Sequence, residues 1–258
     1  MLSYQHLYHA GNLADVHKHA LLAVALDYLT RKDKPLSYLE THAGRGLYRL
    51  DAPEAVKTGE AAEGIGRLAA RLHPDHPYAR RLAEVRARFG ATAYPGSPLI
   101  AALSLRPGDV AHLAELHPQE HAALEAAMAP FGLVRVHRED GMQMALSRTP
   151  PTPRRGLMLI DPSYEVKTDY DALPGLIAAV HRKWNVGVLM LWYPILPDAP
   201  HAPMLLALQA AALPGALRHE VRFGPARPGH RMLGSGLFLV NAPWGIDDEA
   251  KAIARLFR

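Results

Sequence analysis

The stretch Gly156-Leu-Met-Leu-Ile-Asp161-Pro-Ser-Tyr164-Glu165 decides the fold of this chain. Its first half is a continuous apolar run, which is typical of a strand buried on both faces of a parallel sheet. Pro162 has no N–H and a fixed φ, so the strand must end there. Asp161 is therefore predicted to lie at the carboxyl end of the strand, where open α/β sheets bind their ligands.

The residues that follow the strand favour one class of ligand. A carboxylate at Asp161, the carbonyl of Pro162 and the ring of Tyr164 suit a planar heterocycle with an exocyclic amine, because the oxygens accept the amine hydrogens and the rings stack. An adenine turned out of its stack is such a ligand. The same residues are also compatible with an Asp that caps the next helix and a Tyr in the core, since short patterns occur by chance.

Composition bounds the possible functions. The chain has 258 residues, 49% of them hydrophobic, which is enough for the core of one α/β domain with an insertion. Its formal net charge of +4 permits a polyanionic partner without requiring one. The absence of Cys excludes disulfides, thiolate metal sites and cysteine nucleophiles.

No targeting or metal-binding pattern stands out. The N-terminus lacks a basic region followed by an apolar core, and no apolar run has the length of a membrane span, so we expect a cytoplasmic protein without a membrane partner. His17 and His19 point about 200° apart on a regular helix, and they cannot easily bind one ion. No metal site is predicted.

The first half of the chain predicts a helix over 14–31 and a strand over 36–40 that opens into a loop containing Gly44. This loop lets a ligand approach the backbone, but Arg49 breaks the dinucleotide fingerprint. Helices over 51–72 and 76–89 are expected to form a helical insertion, 51–93, within a single domain, 1–258. Ser97 before Pro98 predicts a helix that Ser97 caps.

The second half predicts strands over 110–115, 133–136, 156–160, 186–192, 216–223 and 237–240, with helices between most of them. Helices on both faces of a mainly parallel sheet follow from this alternation, and the last two strands form an antiparallel edge. Glu115 ends the second strand, where an acid accepts hydrogen bonds from ribose hydroxyls. Asp140 either takes the adenine amine of a cofactor or caps the helix over 142–146.

The assembled pattern resembles the class I methyltransferases that use S-adenosylmethionine, with a Rossmann-like sheet. Asp161-Pro-Ser-Tyr164 resembles the Asp-Pro-Pro-Tyr motif of adenine-N6 methyltransferases. Further strings are similar to the RlmJ family, bacterial methyltransferases of adenine N6 in 23S ribosomal RNA. These strings are Met1-Leu-Ser-Tyr4, His9-Ala-Gly-Asn12, Ala14-Asp15, Lys18-His19, Thr41-His-Ala-Gly44, Tyr94-Pro-Gly-Ser-Pro-Leu99, Glu115-Leu-His-Pro118 and Leu191-Trp-Tyr-Pro194.

The resemblance implies roles residue by residue. Asp161 matches the family's catalytic proton acceptor, next to Pro162 and Tyr164, and Tyr4 matches an aromatic residue that helps with the target adenine. The positions implied to contact the cofactor are Lys18, His19, His42, Gly44, Ser97, Glu115, Asp140, Gly141 and Asp161. Ser163 departs from the motif, which usually has a second Pro there. The resemblance implies adenine 2030 as the target, free or partly assembled 23S rRNA as the partner, and a monomer.

Three alternatives remain open at this point: a DNA adenine-N6 methyltransferase, a nicotinamide oxidoreductase and a non-catalytic RNA-binding protein. If RNA is bound, the insertion leaves from the catalytic side of the sheet. We therefore expect phosphate contacts from that side and none from Arg154 and Arg155, which precede the fourth strand. The expected contacts are Arg45, Arg80, Arg81, Arg86, Arg88, Lys167, Arg227 and Arg231.

Overall fold

The computed structural model describes residues 5–224 and 231–258, so Tyr4 and Arg227 lie outside the described residues. Within this part of the chain, one sheet has seven strands and a second has two. The strands are β1 (Ser37–Glu40), β2 (Leu47–Arg49), β3 (Ala93–Pro95), β4 (Val110–Ala114), β5 (Val134–His137), β6 (Gly156–Ile160), β7 (Val188–Ile195), β8 (Leu217–Arg222) and β9 (Gly234–Val240).

The order of the large sheet, β5-β4-β1-β6-β7-β9-β8, explains where a ligand binds. The first five of these strands pair in parallel. The chain moves outward from β1 to β5, then returns to β6 and moves outward on the other side. The loops after β1 and β6 therefore diverge and open a crevice at the carboxyl edge. β9 pairs antiparallel with both β7 and β8, which confirms the antiparallel edge.

Helices cover both faces of this sheet. They are α1 (Leu13–Thr30), α2 (Pro53–Thr58), α3 (Pro77–Phe89), α4 (Ser97–Ser104), α5 (Pro118–Met128), α6 (Gly141–Ser147), α7 (Asp169–Lys183), α8 (His201–Ala210) and α9 (Ile246–Ala254). Alternate residues of β6 enter two separate apolar clusters: Leu157 and Leu159 pack with α1, α4 and α9, and Met158 and Ile160 with α6, α7 and α8. The predicted fold class is thereby confirmed.

The helix predicted over 51–72 is broken into pieces, which corrects that expectation. α2 ends at Thr58 and is capped by Gly59, whose φ of 69° is left-handed, and short π and 3-10 turns follow at Ala62–Gly66 and Ala69–Arg71. A Cβ on Gly64 would lie 2.1 Å from the Gly11 carbonyl oxygen. Glycine is needed because the N-terminal segment passes close to this backbone, and periodicity alone does not reveal such a contact.

The cap of α4 is a second correction. Gly96, not Ser97, is the N-cap, and Ser97 is the first helical residue. The Ser97 hydroxyl is engaged elsewhere, because its Oγ lies 2.5 Å from Glu40 Oε1. None of the described helices is long and apolar enough to cross a membrane.

Candidate active site

A cavity of about 490 Å³ opens at the carboxyl edge of the parallel strands. It is lined by the loops after β1, β4, β5, β6 and β7 and by the first turns of α1. The structure brings together around it every predicted site residue that it describes. These are Lys18, His19, His42, Gly44, Ser97, Glu115, Asp140, Gly141, Asp161, Pro162 and Tyr164.

An ion-pair cluster holds Asp161 in place. Lys18 Nζ lies 2.6 Å from Asp161 Oδ2 and 3.1 Å from Asp15 Oδ1. Burial alone would lower the pKa of Lys18, but the two carboxylates outweigh it and raise that pKa above its ordinary value. Lys18 therefore stays charged in the cavity, where it engages one oxygen of Asp161.

Asp15 is the second carboxylate of this cluster, and it also ties down the chain before α1. His6 Nε2 lies 2.9 Å from its Oδ2, and the Gly11 N–H donates to the same oxygen. Burial raises the pKa of Asp15, but His6 and Lys18 reverse this and hold the pKa well below its usual range. Neither Asp15 nor His6 was identified from the sequence as a site residue.

The ring of Tyr164 was expected to be open for stacking on a ligand, but it is largely covered. Its ring stacks on Tyr170 with centroids 4.4 Å apart, and the side chain is only 9% exposed. Its hydroxyl donates to the Trp192 carbonyl at 2.6 Å. Tyr164 has a φ of 56°, a left-handed conformation that turns the chain sharply after β6. One face of the ring is therefore covered by Tyr170, and Tyr164 braces the motif.

Glu115 links two loops on the other side of the cavity. Its Oε2 accepts from the Gly44 N–H and its Oε1 from the His117 N–H, both at 2.8 Å. Burial raises the pKa of Glu115 above its ordinary value. His117 Nδ1 is buried without a hydrogen-bond partner among the described residues. This side of the cavity thus has an oriented carboxylate and an unsatisfied imidazole nitrogen.

Glu40 lies under the cavity at the end of β1 and is fully buried. Ser97 donates to its Oε1 at 2.5 Å and Tyr38 to its Oε2 at 2.8 Å. Burial outweighs these hydrogen bonds and raises the pKa of Glu40 to about 8. Ser97 thus connects α4 to β1 as well as lining the cavity.

The remaining predicted residues have mainly structural contacts. His19 is bonded to the Tyr94 hydroxyl at 2.9 Å, and its burial lowers its pKa to about 3. His42 Nδ1 lies 2.7 Å from Thr41 Oγ1. Asp140 caps α6 by accepting from the Gln143 N–H, which is one of the two roles expected for it. Gly141 allows α6 to touch β1, since a Cβ there would lie 1.8 Å from the Thr41 carbonyl oxygen.

The family model of ribosomal RNA large subunit methyltransferase D, RlmJ, matches residues 33–257. The chain belongs to the RlmJ family. It is 39% identical to ribosomal RNA large subunit methyltransferase J of Escherichia coli, over 96% of this chain and 90% of the relative. It is 38% identical to the Haemophilus influenzae protein of the same name, over 98% of this chain and 92% of that one.

A solved structure has the same fold along nearly the whole chain. The crystal structure of a Legionella pneumophila protein matches with a TM-score of 0.86 at 34% identity. The match covers 96% of this chain and 92% of that one. The RlmJ-family sheet and its connections are therefore shared with that protein.

Arg80 and Arg81, two of the four α3 arginines, are not placed as the RNA hypothesis expected. Arg80 pairs with Asp27 at 2.7 Å, and Arg81 pairs with Glu84 and donates to the Leu103 carbonyl. Asp27 lies nine residues beyond Lys18 on α1, or about 13 Å along the helix. Arg80 and Arg81 are therefore directed toward the end of the RlmJ-family fold that is remote from Asp161.

Proposed function

We propose that this chain transfers a methyl group from S-adenosylmethionine to the exocyclic N6 of an adenine in 23S ribosomal RNA. By its family, the target is adenine 2030. The observation that carries the proposal is Asp161 at the carboxyl end of β6, followed by Pro162 and held by Lys18 inside the large cavity. A carboxylate and a carbonyl side by side suit an exocyclic amine.

The cavity fits the proposed cofactor in charge as well as in size. S-Adenosylmethionine carries a sulfonium, an ammonium and a carboxylate group and so has a net charge of +1, and among the described residues six acidic side chains line the cavity together with one lysine. The volume of about 490 Å³ lies in the range of small-molecule sites. Glu115, Asp140 and the loop of Gly44 would hold the cofactor, which when bound supplies an already activated methyl group.

The residues of the chain would orient the nitrogen that accepts this methyl group. Asp161 and the Pro162 carbonyl accept the two N6 hydrogens and favour a more tetrahedral nitrogen as positive charge develops on it. Lys18, 2.6 Å from Asp161, stabilises the carboxylate. With one oxygen fixed by Lys18, Asp161 orients the amine, and the N6 proton is released to solvent after transfer.

Two rival functions are separated by one experiment. The enzyme is incubated with the cofactor and with matched RNA and DNA oligonucleotides of the target sequence, and the nucleosides are analysed by mass spectrometry. We expect N6-methyladenosine from RNA and at least tenfold less product from DNA. More product from DNA would favour the DNA methyltransferase, and binding without product the non-catalytic protein.

The proposal also includes the location, oligomeric state, RNA partner and metal requirement of the enzyme. We propose that it acts in the cytoplasm as a monomer on free or partly assembled 23S RNA, without a bound metal. Among the described residues, no group of three potential metal ligands is arranged around one point. Light scattering after gel filtration tests the monomer, and unchanged turnover in a chelator tests metal independence.

A further inference from the structure

Trp192 lies on the side of Asp161 that faces away from the proposed cofactor residues. In the sheet, β6 separates β7, which carries Trp192, from β1, β4 and β5, whose ends carry Gly44, Glu115 and Asp140. The indole is half-buried and lines the cavity. Lys18 Nζ lies 5.5 Å from its ring centroid, so the same ammonium contacts both the indole and Asp161.

Among the residues that the structure describes, this position makes Trp192 an aromatic surface on the base side of Asp161. A base whose amine is bonded to Asp161 extends several ångströms from that carboxylate, toward either β1 or β7. The β1 side is lined by the carboxylates proposed for the cofactor. Tyr164 has one face covered by Tyr170, whereas the indole of Trp192 borders the open cavity.

A buried hydrogen-bond chain fixes the indole from behind. Trp192 Nε1 donates to Ser235 Oγ at 2.9 Å, and Ser235 Oγ lies 2.8 Å from His17 Nδ1. His17 Nε2 in turn lies 2.9 Å from His219 Nδ1. The indole N–H can only donate, so all four groups are satisfied when Ser235 donates to His17 and His17 donates to His219.

Ser235 and His17, the two residues behind the indole in this hydrogen-bond series, do not line the cavity themselves. Ser235 and His17 are fully buried, and neither borders the space that a ligand would fill. Ser235 comes from β9 and His17 from α1, one residue before Lys18. Their side-chain hydrogen bonds lead to the cavity through the indole of Trp192, whereas a change at His17 could also act through its neighbour Lys18 on α1.

We propose that the target base packs against Trp192 and that Ser235 and His17 are positioning residues that fix the indole for this contact. The inference rests on the proposed methyl transfer to an adenine. It adds the wall that receives the base and the two buried side chains that orient it.

The test compares variants that remove a hydrogen bond of the series Trp192–Ser235–His17 with variants that keep it. Ser235→Ala removes the acceptor of the indole N–H, and Trp192→Phe keeps an aromatic ring without the N–H. His17→Leu removes the partner of Ser235, whereas His17→Asn places an amide oxygen near the position of Nδ1. His112→Leu is the matched control. It removes the 3.0 Å hydrogen bond between His112 on β4 and His137 on β5, and neither of these residues lines the cavity.

The readouts are kcat and KM for the RNA oligonucleotide, the Kd for S-adenosylhomocysteine, and the melting temperature. We expect Ser235→Ala and His17→Leu to lower kcat/KM for RNA about tenfold, as the loss of one or two hydrogen bonds predicts. The Kd for S-adenosylhomocysteine should change less than about twofold, and His17→Asn should recover most of the activity. RNA added with S-adenosylhomocysteine should quench wild-type tryptophan fluorescence, and Trp192→Phe should lack this quenching.

The outcomes separate this inference from the proposed function. If the wild-type enzyme methylates no RNA, the proposed function fails. If it does so while Ser235→Ala and His17→Leu retain kcat/KM within twofold, the positioning role is wrong. A purely structural role is indicated if His17→Asn is no better than His17→Leu, or if all variants lose S-adenosylhomocysteine binding together with RNA turnover. Quenching that persists in Trp192→Phe overturns the contact with the base.

Discussion

At the scale of single residues, the proposed chemistry depends on Asp161 and on its contact with Lys18. We predict that Asp161→Asn lowers kcat by at least about a hundredfold, because the charged acceptor of the amine is lost. The melting temperature should remain within a few degrees, since the side chain borders a cavity. Asp171→Asn is the control, an exposed acid of α7 outside the cavity. Turnover of the Asp161 variant near that of the control would remove Asp161 from the mechanism.

Glu40 makes the stability of the protein depend on pH. Its pKa is raised to about 8 in the folded state, mainly by burial, so the folded protein keeps a proton that the unfolded chain loses above the ordinary pKa of 4.5. Stability therefore falls as pH rises from about 4.5 to about 8 and is constant above this window as far as Glu40 is concerned. Glu40→Gln imitates the protonated acid. As pH rises through this window, the melting temperature of the variant should therefore fall by several degrees less than that of the wild type.

The control for Glu40 is Glu63→Gln, a change in an acid whose side chain is 56% exposed. Its melting curve against pH should run parallel to that of the wild type. A Glu40 variant that also runs parallel would mean that Glu40 is ionised in the folded protein.

The sequence predicted which residues would lie around the cavity better than it predicted their contacts. Strand-end positions and family strings identified Asp161, Glu115 and Asp140, and all three border the cavity. The covered face of Tyr164 and the wall formed by Trp192 were missed. The first depends on the approach of Tyr170 from α7 and the second on the approach of Ser235 from β9. No local pattern in the sequence predicts these contacts between distant residues.

At the scale of elements, the sequence predicted the seven strands of the large sheet, several of them from apolar runs, but neither β2 nor β3 of the two-stranded sheet. β6 was predicted at its observed bounds, whereas β7 runs three residues further than expected, to Ile195. The broken helix over 51–72 was missed because it depends on a close contact between Gly64 and the N-terminal segment. We still propose that 51–93 is a helical insertion in a single domain, which limited proteolysis tests.

The junction of β1 and α6 gives a prediction for an element boundary. Gly141→Ala would place a Cβ 1.8 Å from the Thr41 carbonyl oxygen, so α6 must move away from β1. We expect the Kd for S-adenosylhomocysteine to rise at least about tenfold and the melting temperature to fall, as for other strained substitutions. Calorimetry and thermal melts measure both effects.

The matched control is Gly175→Ala inside α7, where nothing lies within 4 Å of the added Cβ. This change should stabilise the protein by about 0.5–1 kcal/mol, because alanine is the better helix former. Cofactor affinity that is unchanged in both variants would show that the Gly141 junction does not support the cofactor site.

At the scale of the whole molecule, the two edges of the sheet differ in how their cations are used. At the amino edge, Arg155 donates to the carbonyls of Leu29 and Lys34. At the carboxyl edge, Arg138 and Lys167 are exposed, and neither forms an ion pair within the described part of the chain. Arg155 would have to give up these carbonyls to neutralise an RNA phosphate, whereas no such bond is seen for Arg138 and Lys167 in the described part of the chain, so RNA should follow the carboxyl edge.

This difference yields a prediction about the salt dependence of RNA binding. Each phosphate contact on a single strand contributes about 0.7 to the slope of log K against log salt, so the double change Arg138→Ala and Lys167→Ala should reduce the slope by roughly 1.4. Arg80→Ala with Arg81→Ala should leave the slope nearly unchanged and lower stability, because these arginines are engaged with Asp27 and Glu84. Fluorescence anisotropy at several salt concentrations measures the slopes. A larger loss from the Arg80 and Arg81 pair would place the RNA along α3 instead of the carboxyl edge.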